Sequence, residues 1–135
     1  MVLTSCLVLM GVLYVMAFRR PILYEIPGDY KGWVVVRFGV SRCSALPTRG
    51  LFQVVSVAPS GKACTSSPDP TTYTRFDYVY PDGRRKSLPW STGGDESTGP
   101  MAWMISYMAE SKAEIIFIGN THELNTFGQR PDVEP

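Results

Sequence analysis

This 135-residue chain has no large excess of either positive or negative charge. Its 13 Lys and Arg residues nearly balance 12 Asp and Glu residues, which leaves a formal net charge of +1. Proteins that bind nucleic acids ordinarily concentrate positive charge, so we expect no nucleic-acid partner. Aromatic residues reach 12% and apolar residues 44%, so the composition is not that of a disordered chain. The length fits one compact domain.

Motifs for catalysis and for cofactors are also missing. The sequence contains no Gly-x-Ser-x-Gly element, and Gly93-Gly94-Asp95 lacks the Lys of a phosphate-binding loop. The single histidine, His122, stands next to Glu123, and adjacent side chains on a helix point about 100° apart. One His and separated Cys residues do not form a zinc pattern. We therefore expect no catalytic residue, no metal and no cofactor.

What the chain does have is an apolar beginning, because its first 18 residues carry no charged side chain. An 18-residue helix is about 27 Å long, slightly shorter than the about 20 residues that usually span a bilayer. The run predicts either a signal peptide cleaved after Val15-Met16-Ala17 or a retained membrane anchor. No basic residue precedes it, and Arg19-Arg20 favours a cytoplasmic location for whatever follows an anchor. A buried core helix is the third alternative.

Leu3-Thr4-Ser5-Cys6 has the form of a lipoprotein box, in which Cys6 is the residue that is acylated. Here the apolar run follows the cysteine, whereas in a lipoprotein leader it precedes the cysteine. An ordinary apolar cysteine is the favoured interpretation, and lipidation of Cys6 is the alternative. In the signal and anchor interpretations alike, the membrane is the expected partner of residues 1–18.

Beyond the leader, Pro and Gly recur about every ten residues, with β-branched and aromatic runs between them. This spacing is typical of a β-sandwich or barrel. We expect strands at residues 22–26, 32–40, 51–57, 62–65, 73–80 and 84–88. Pro81-Asp82-Gly83 predicts the hairpin turn between the last two, because Pro presets φ and Gly accepts a positive φ.

The segment 101–108 fits either a helical stripe or a strand face. We favour a strand, because residues 109–113 then connect it to Ile115–Ile118, a run typical of a strand buried on both faces. Asn120 or Thr121 can cap a short helix at residues 122–127. The predicted fold is all-β: a small antiparallel β-sandwich over residues 19–128, with an N-terminal apolar helix, a short C-terminal helix, and a polar, frayed tail at residues 129–135.

Three cysteines bear on the cellular compartment. Cys6 belongs to the leader, which leaves Cys43 and Cys64 in the folded part. A bridge between these two closes a loop of about 22 residues, worth about 3 kcal/mol in the chain-entropy model. An oxidising compartment permits it, and export supplies one. The favoured interpretation is a Cys43–Cys64 disulfide, and two free thiols are the alternative.

The regions most suited to contacts are two loops and one turn. Loops on a rigid scaffold usually carry binding, so we expect contacts at residues 41–50 and at residues 89–100, which include Trp90, Asp95 and Glu96. The densest basic cluster, Arg84-Arg85-Lys86, is a candidate for contact with anionic lipid or wall polymer. Its alternative role is to keep an exposed strand edge from pairing.

Several motifs together resemble a bacterial family of exported, often lipoprotein-like domains of unknown function. They are Tyr24-Glu25-Ile26-Pro27-Gly28-Asp29-Tyr30-Lys31-Gly32-Trp33-Val34, Cys43-Ser44-Ala45-Leu46-Pro47, Gly61-Lys62-Ala63-Cys64-Thr65-Ser66-Ser67-Pro68, Tyr78-Val79-Tyr80-Pro81-Asp82-Gly83-Arg84-Arg85 and Phe117-Ile118-Gly119-Asn120-Thr121. The resemblance implies export, a small β-rich domain and pairing of Cys43 with Cys64. It implies no activity.

The expected function is a non-enzymatic interaction or structural module of the bacterial envelope, located at the cell membrane, in the periplasm or on the cell surface. An envelope protein is its expected partner. One alternative is a small envelope hydrolase with His122 as base and a loop Ser or Asp95 nearby. A small-ligand carrier is the other alternative, and it needs an apolar cavity.

Overall fold

The N-terminal helix stands outside the core of the domain. A computed structural model describes residues 2–18, 20–69, 73–108 and 111–132. The first helix, α1, spans Val2–Phe18, and the side chains of residues 3–14 are exposed. The core-helix alternative is therefore wrong. Among the described residues, no helix has the length and apolarity needed to cross a membrane.

Ten strands and a second helix follow within the described residues. The strands are β1 (Ile22–Pro27), β2 (Gly32–Arg37), β3 (Thr48–Arg49), β4 (Phe52–Ser56), β5 (Lys62–Cys64), β6 (Thr74–Val79), β7 (Arg85–Leu88), β8 (Trp90–Ser91), β9 (Met101–Met108) and β10 (Ala113–Gly119), and the helix is α2 (Thr121–Thr126). They form a first sheet, in the order β3-β4-β1-β6-β7, and a second sheet, in the order β5-β2-β10-β9-β8. The prediction of a mostly β, two-sheet fold is confirmed.

The prediction of purely antiparallel sheets is wrong, because both sheets are mixed. In the first sheet, β1 pairs in parallel with β4 on one side and with β6 on the other. In the second sheet, β2–β5 and β8–β9 are parallel. The chain leaves the first sheet after β1, forms β2 in the second sheet, and returns to place β4 beside β1. Because this connection crosses through the opposite sheet and is not a hairpin, β1 and β4 can run in the same direction.

The core lies between the two sheets, and burial along β2 alternates as it does in a half-buried strand. In β2, Val34 and Val36 are buried, whereas Trp33 and Val35 are only partly buried. The seven residues of β10 are all buried, as expected for a strand covered on both faces. The core side chains come from both sheets: Ile22, Tyr24, Ile26, Val34, Val36, Phe38, Val55, Val57, Phe76, Tyr78, Leu88, Ala102, Ile116 and Ile118.

A second, smaller cluster lies on the outer face of the second sheet. Met101, Trp103 and Phe117 are buried there, and Leu124 of α2 packs against them. Phe127, next to the end of α2, packs edge-on against Phe117, with ring centroids 5.3 Å apart. The helix therefore covers the outer face of β9 and β10.

The local predictions of strands, turns and caps are confirmed at some positions and miss two short strands. Residues 101–108 form a strand, and Asn120 is the cap of α2 through a capping box with Glu123. The turn at residues 81–83 joins two antiparallel strands, with Gly83 at φ +86°. The two-residue strands β3 and β8 went unrecognised, since each lies in a segment predicted to be loop. Residues 70–72, 109–110 and 133–135, which include parts of a predicted loop, connection and tail, lie outside the described residues.

Candidate functional site

A polar cleft of about 810 Å³ lies between the loop after β8 and helix α2. The loop 92–100 begins where β8 ends, and α2 begins where β10 ends, so the antiparallel pair β9–β10 brings both to one end of the second sheet. The cleft is lined by side chains that carry hydroxyl, amide, carboxylate or imidazole groups: Glu96, Ser97, Thr98, Asn120, Thr121, His122 and Asn125.

Hydrogen bonds hold the loop to the start of α2. The Ser97 amide donates to Thr121 Oγ1 at 2.7 Å, and the Thr121 amide donates to the Ser97 carbonyl oxygen at 3.0 Å. Asn120 Nδ2 donates to the Thr98 carbonyl oxygen at 3.5 Å. Because these bonds run in both directions, the two walls of the cleft are fixed relative to each other before any ligand arrives.

The helix wall is itself held by a capping box. The Glu123 amide donates to Asn120 Oδ1 at 2.8 Å, and the Asn120 amide donates to Glu123 Oε1 at 3.1 Å. Lys31 Nζ lies 3.0 Å from Glu123 Oε2. The backbone hydrogen bond from Asn120, and then the bond from Lys31, lower the pKa of Glu123 below its ordinary value. Glu123 therefore works as a structural carboxylate behind the cleft wall.

His122 lines the cleft, whereas the loop acid Asp95 binds Ser91 of β8. His122 is exposed on α2, and within the part of the chain that the structure describes no side chain hydrogen-bonds to its imidazole. Asp95 instead accepts a short hydrogen bond from Ser91, which is buried in β8. Ser97 Oγ donates to the Gly99 carbonyl oxygen at 3.0 Å.

The other predicted contact residues lie along one edge of the sandwich. Trp90 in β8 is 42% exposed, and β7, only one residue away along the chain, carries Arg85 and Lys86. Arg84 pairs with Asp82 at 2.6 Å and lies over the Tyr80 ring, 4.9 Å from its centroid. The predicted basic cluster is therefore partly neutralised within the hairpin.

Arg85 belongs to an ion-pair chain on the outer face of the first sheet. It forms a short bond to Glu25 and lies 3.5 Å from Asp77 Oδ2. Arg49 binds Glu25 at 2.8 Å, and Arg75 binds Asp77 at 3.0 Å. Burial raises the pKa of Glu25, but the hydrogen bonds from Arg49 and Arg85 outweigh it and lower that pKa overall. Two of the three basic residues at the hairpin are thus engaged with carboxylates.

The predicted cysteine bridge is present. Cys43 and Cys64 form a disulfide with their Cα atoms 6.0 Å apart, which ties the loop after β2 to the edge strand β5. Cys6 is a free, exposed cysteine on α1. Within the described ranges, no group of three or more His, Cys, Asp and Glu side chains is placed to hold a metal ion.

A buried acid went unrecognised in the sequence. Glu114 of β10 points between the sheets, is 6% exposed, and accepts a short hydrogen bond from the Tyr24 hydroxyl. The pKa of Glu114 is raised to about 7, mainly because burial disfavours its charged form; the hydrogen bond from Tyr24 lowers this pKa, and the charge of Asp69 raises it. The available indication was its position two residues before Ile116, in phase with the buried face. The alternation places a polar side chain there but says nothing of its partner.

The model of a family of unknown function, DUF6843, matches residues 19–127. The chain belongs to this family. The DUF6843 match begins directly after α1 and ends directly after α2, so it takes in the whole sandwich and both walls of the cleft. It agrees with the resemblance to an uncharacterised family, while the individual motifs quoted for that resemblance stay predictions.

A solved structure is similar to much of the chain at low sequence identity. A crystal structure of a putative lipoprotein from Bacillus anthracis is 18% identical in sequence, with 84% of this chain and 82% of that chain covered and a TM-score of 0.48. No curated protein matches the chain significantly.

Proposed function

We propose that this protein is a non-enzymatic binding module of the bacterial envelope, and that its ligand site is the polar cleft between residues 96–98 and α2. The observation that carries the proposal is the lining of a cleft of about 810 Å³ by hydrogen-bonding side chains. Ligand sites place a few polar groups at fixed positions, and the two hydrogen bonds between Ser97 and Thr121 supply that rigidity.

The chemistry of the cleft favours a ligand rich in hydroxyl and amide groups, such as an N-acetylated glycan. Asn125 offers an amide, Thr98 and Thr121 offer hydroxyls, and Glu96 offers one carboxylate. Each such group exchanges hydrogen bonds with water for bonds to ligand, at a net gain of about 1 kcal/mol apiece. Useful affinity needs several such hydrogen bonds, and the two walls of the cleft together provide groups for them.

The test is a titration of the full chain with N-acetylglucosamine oligomers, monitored through the NMR signals of the backbone amides. We expect shifts confined to residues 96–98 and 120–125. Asn125→Ala and Glu96→Gln should each weaken binding about fivefold, the equivalent of one hydrogen bond. Asp82→Asn, at the exposed turn on the first sheet, is the matched control. Shifts centred elsewhere, or equal weakening by the control, would contradict the assignment.

The envelope location in this proposal has two supports. The apolar run of residues 1–18 is typical of an export signal, and a disulfide between Cys43 and Cys64 persists in oxidising compartments. Cell fractionation with intact-mass analysis tests it. We expect an exported protein that begins at Phe18 and carries no free thiol. A full-length, reduced protein in the cytosol would refute export, and a lipid adduct on Cys6 would support the lipoprotein alternative.

One observation keeps the hydrolase alternative open as a second candidate: His122, Ser97 and Glu96 line the same cleft. In this alternative, His122 activates a loop hydroxyl once ligand binding rearranges the hydrogen bond of Ser97. Turnover of an envelope glycan or ester that His122→Ala abolishes, while binding persists, would establish it. Binding without turnover in the wild-type protein would refute it. The polar lining of this cleft does not favour the small-ligand carrier.

A further inference from the structure

The apolar helix α1 is attached to one particular end of the sandwich. In the first sheet, β1 runs parallel to both β4 and β6, so the three strands begin at the same end. Since α1 ends at Phe18 and β1 begins at Ile22, α1 is joined to this end. The Ile22 amide donates to the Tyr73 carbonyl oxygen at 2.9 Å, just before β6. The Gln53 amide of β4 donates to the Pro21 carbonyl oxygen at 2.9 Å.

Two large apolar side chains at this end are exposed. Leu51 lies in the two-residue loop between β3 and β4, where Arg49 pairs with Phe52, and it is 66% exposed. Tyr73 directly precedes β6 and is 67% exposed. Turns ordinarily carry Gly, Pro, Asn, Asp or Ser, so the geometry of the loop does not call for a leucine. The fold leaves both side chains outside its core.

The second sheet contributes a third exposed side chain at the same end. Tyr107 of β9 is the register partner of Glu114 in β10. Glu114 accepts a short hydrogen bond from Tyr24, two residues after the start of β1. Tyr107 therefore lies toward the end that α1 joins, and it is 49% exposed.

Cations surround these apolar side chains. Arg20 precedes β1, Lys112 precedes β10, both are exposed, and among the described residues neither forms an ion pair. On the adjoining outer face of the first sheet, Arg49 and Arg75 are exposed above carboxylate partners that are almost buried. Asp69, an acid close enough to Tyr24 to affect it, is partly buried, and burial raises its pKa. This end therefore presents apolar groups within a positive rim.

We propose that this end of the sandwich docks onto a bilayer that contains anionic lipid. We call it the basal surface and define it by Arg20, Leu51, Tyr73, Tyr107 and Lys112. The identity of the partner follows from α1, because a charge-free apolar run with exposed side chains joins the domain at this surface. Apolar side chains enter a bilayer interface to a depth of about 5–10 Å, and basic residues beside them bind anionic lipid. Tyrosine is among the residues that favour the interface.

Docking through the basal surface fixes the direction in which the polar cleft opens. The strand β10 begins beside Lys112 of the basal surface, and α2, which forms one wall of the cleft, begins where β10 ends. The cleft therefore opens away from the bilayer. The docking proposal rests on the envelope location proposed above, but it does not depend on the cleft or on its ligand.

The experiment places the full chain in nanodiscs of phosphatidylglycerol and phosphatidylcholine that carry a nitroxide on the lipid acyl chain near the headgroup. A nitroxide broadens the NMR signals of amides close to it. We expect the largest signal loss at residues 49–52, 73–75 and 105–108. The turn at residues 81–83 should keep its signals, because the length of β6 separates it from the basal surface by about 20 Å. Residues 20–22 are not compared, since α1 tethers them in any case.

The variant that tests the surface carries Leu51→Ser and Tyr73→Ser, which should remove most of the signal loss at residues 49–52 and 73–75. Trp90→Ser is the matched control, because Trp90 is also exposed but pairs with Ala102 near the start of β9, at the opposite end. This control should keep the wild-type pattern. Circular dichroism verifies that each variant is folded.

Four results would overturn the proposal. The first is equal signal loss at residues 49–52 and 81–83, which is expected of a sandwich that is only tethered by α1. The second is an unchanged pattern in the double variant, and the third is a full chain that does not associate with the nanodiscs. The fourth is an equal loss in nanodiscs of phosphatidylcholine alone, because the cations then have no role. No glycan is present, so failure of the glycan site is measured separately, and cell fractionation separately tests export.

Discussion

Replacing Glu114 by Gln should remove a pH dependence of stability that the fold builds into its core. Glu114 lies between the sheets, bonded to the Tyr24 hydroxyl, and burial raises its pKa to about 7 from an ordinary value of 4.5. Gln has nearly the same shape, and its carbonyl oxygen can still accept from Tyr24. The substitution therefore removes the titration while keeping the packing.

The sign and the size follow from that pKa. Below pH 4.5 the carboxyl is protonated in both folded and unfolded chains, so the contribution of protonated Glu114 to the unfolding free energy is fully present. Between pH 4.5 and about 7 the unfolded chain releases its proton while the folded chain keeps it, so stability falls as pH rises. At about 1.4 kcal/mol per pH unit, the loss reaches about 3 kcal/mol above pH 7.

Urea unfolding of both proteins at pH 4, 5, 6, 7 and 8, followed by tryptophan fluorescence, measures this effect. The difference in unfolding free energy between Glu114→Gln and wild type should grow by about 3 kcal/mol in favour of the variant across this range. Any constant cost of burying the Gln amide shifts the whole curve and not its slope. Glu96→Gln, in the exposed loop, should leave the difference flat. A flat difference for Glu114→Gln as well would refute the burial argument.

Three further substitutions test the framework. Replacing Cys43 and Cys64 by Ser should lower the unfolding free energy by about 3 kcal/mol in denaturant titration, and an equal stability of oxidised and reduced wild type would contradict this. Gly61→Ala should lower the unfolding free energy by about 3 kcal/mol or more, because the new Cβ would clash with the Trp33 carbonyl oxygen and the backbone at this position has a φ of +80°. An unchanged melting temperature would argue against that clash. Asn120→Ala should cost about 1 kcal/mol and accelerate amide exchange at residues 97–98, whereas Asn125→Ala, which leaves the cap intact, should not.

The strand pattern of the chain was readable because a half-buried strand needs apolar side chains at every second position. Val34 and Val36 faced the core as that rule requires, and Asn120 capped α2 because its short amide reaches the amide two to three residues on. The alternation of buried and exposed residues does not indicate the direction of the neighbouring strands, however. A strand with Tyr24 and Ile26 inward looks the same whether its neighbours run with it or against it.

The candidate site was predictable only in its parts. His122 and Glu96 stood out as residues, but they line one cleft only because the β9–β10 pairing brings these residues, 26 positions apart in sequence, to one end of a sheet. Arg85 was predicted only as part of the hairpin cluster, and its ion pair with the buried Asp77 joins β7 to β6. Local composition does not contain such partners.

By itself the sequence determined the apolar first segment, the β-rich domain after it, the turn at residues 81–83 and the capped terminal helix. These depend on side-chain period, on turn residues and on local hydrogen bonds, which act within a few positions of the chain. The tertiary structure alone decided the parallel pairing around β1 and the burial of Glu114 against Tyr24. Each joins groups more than 25 residues apart, and only folding brings their atoms within reach.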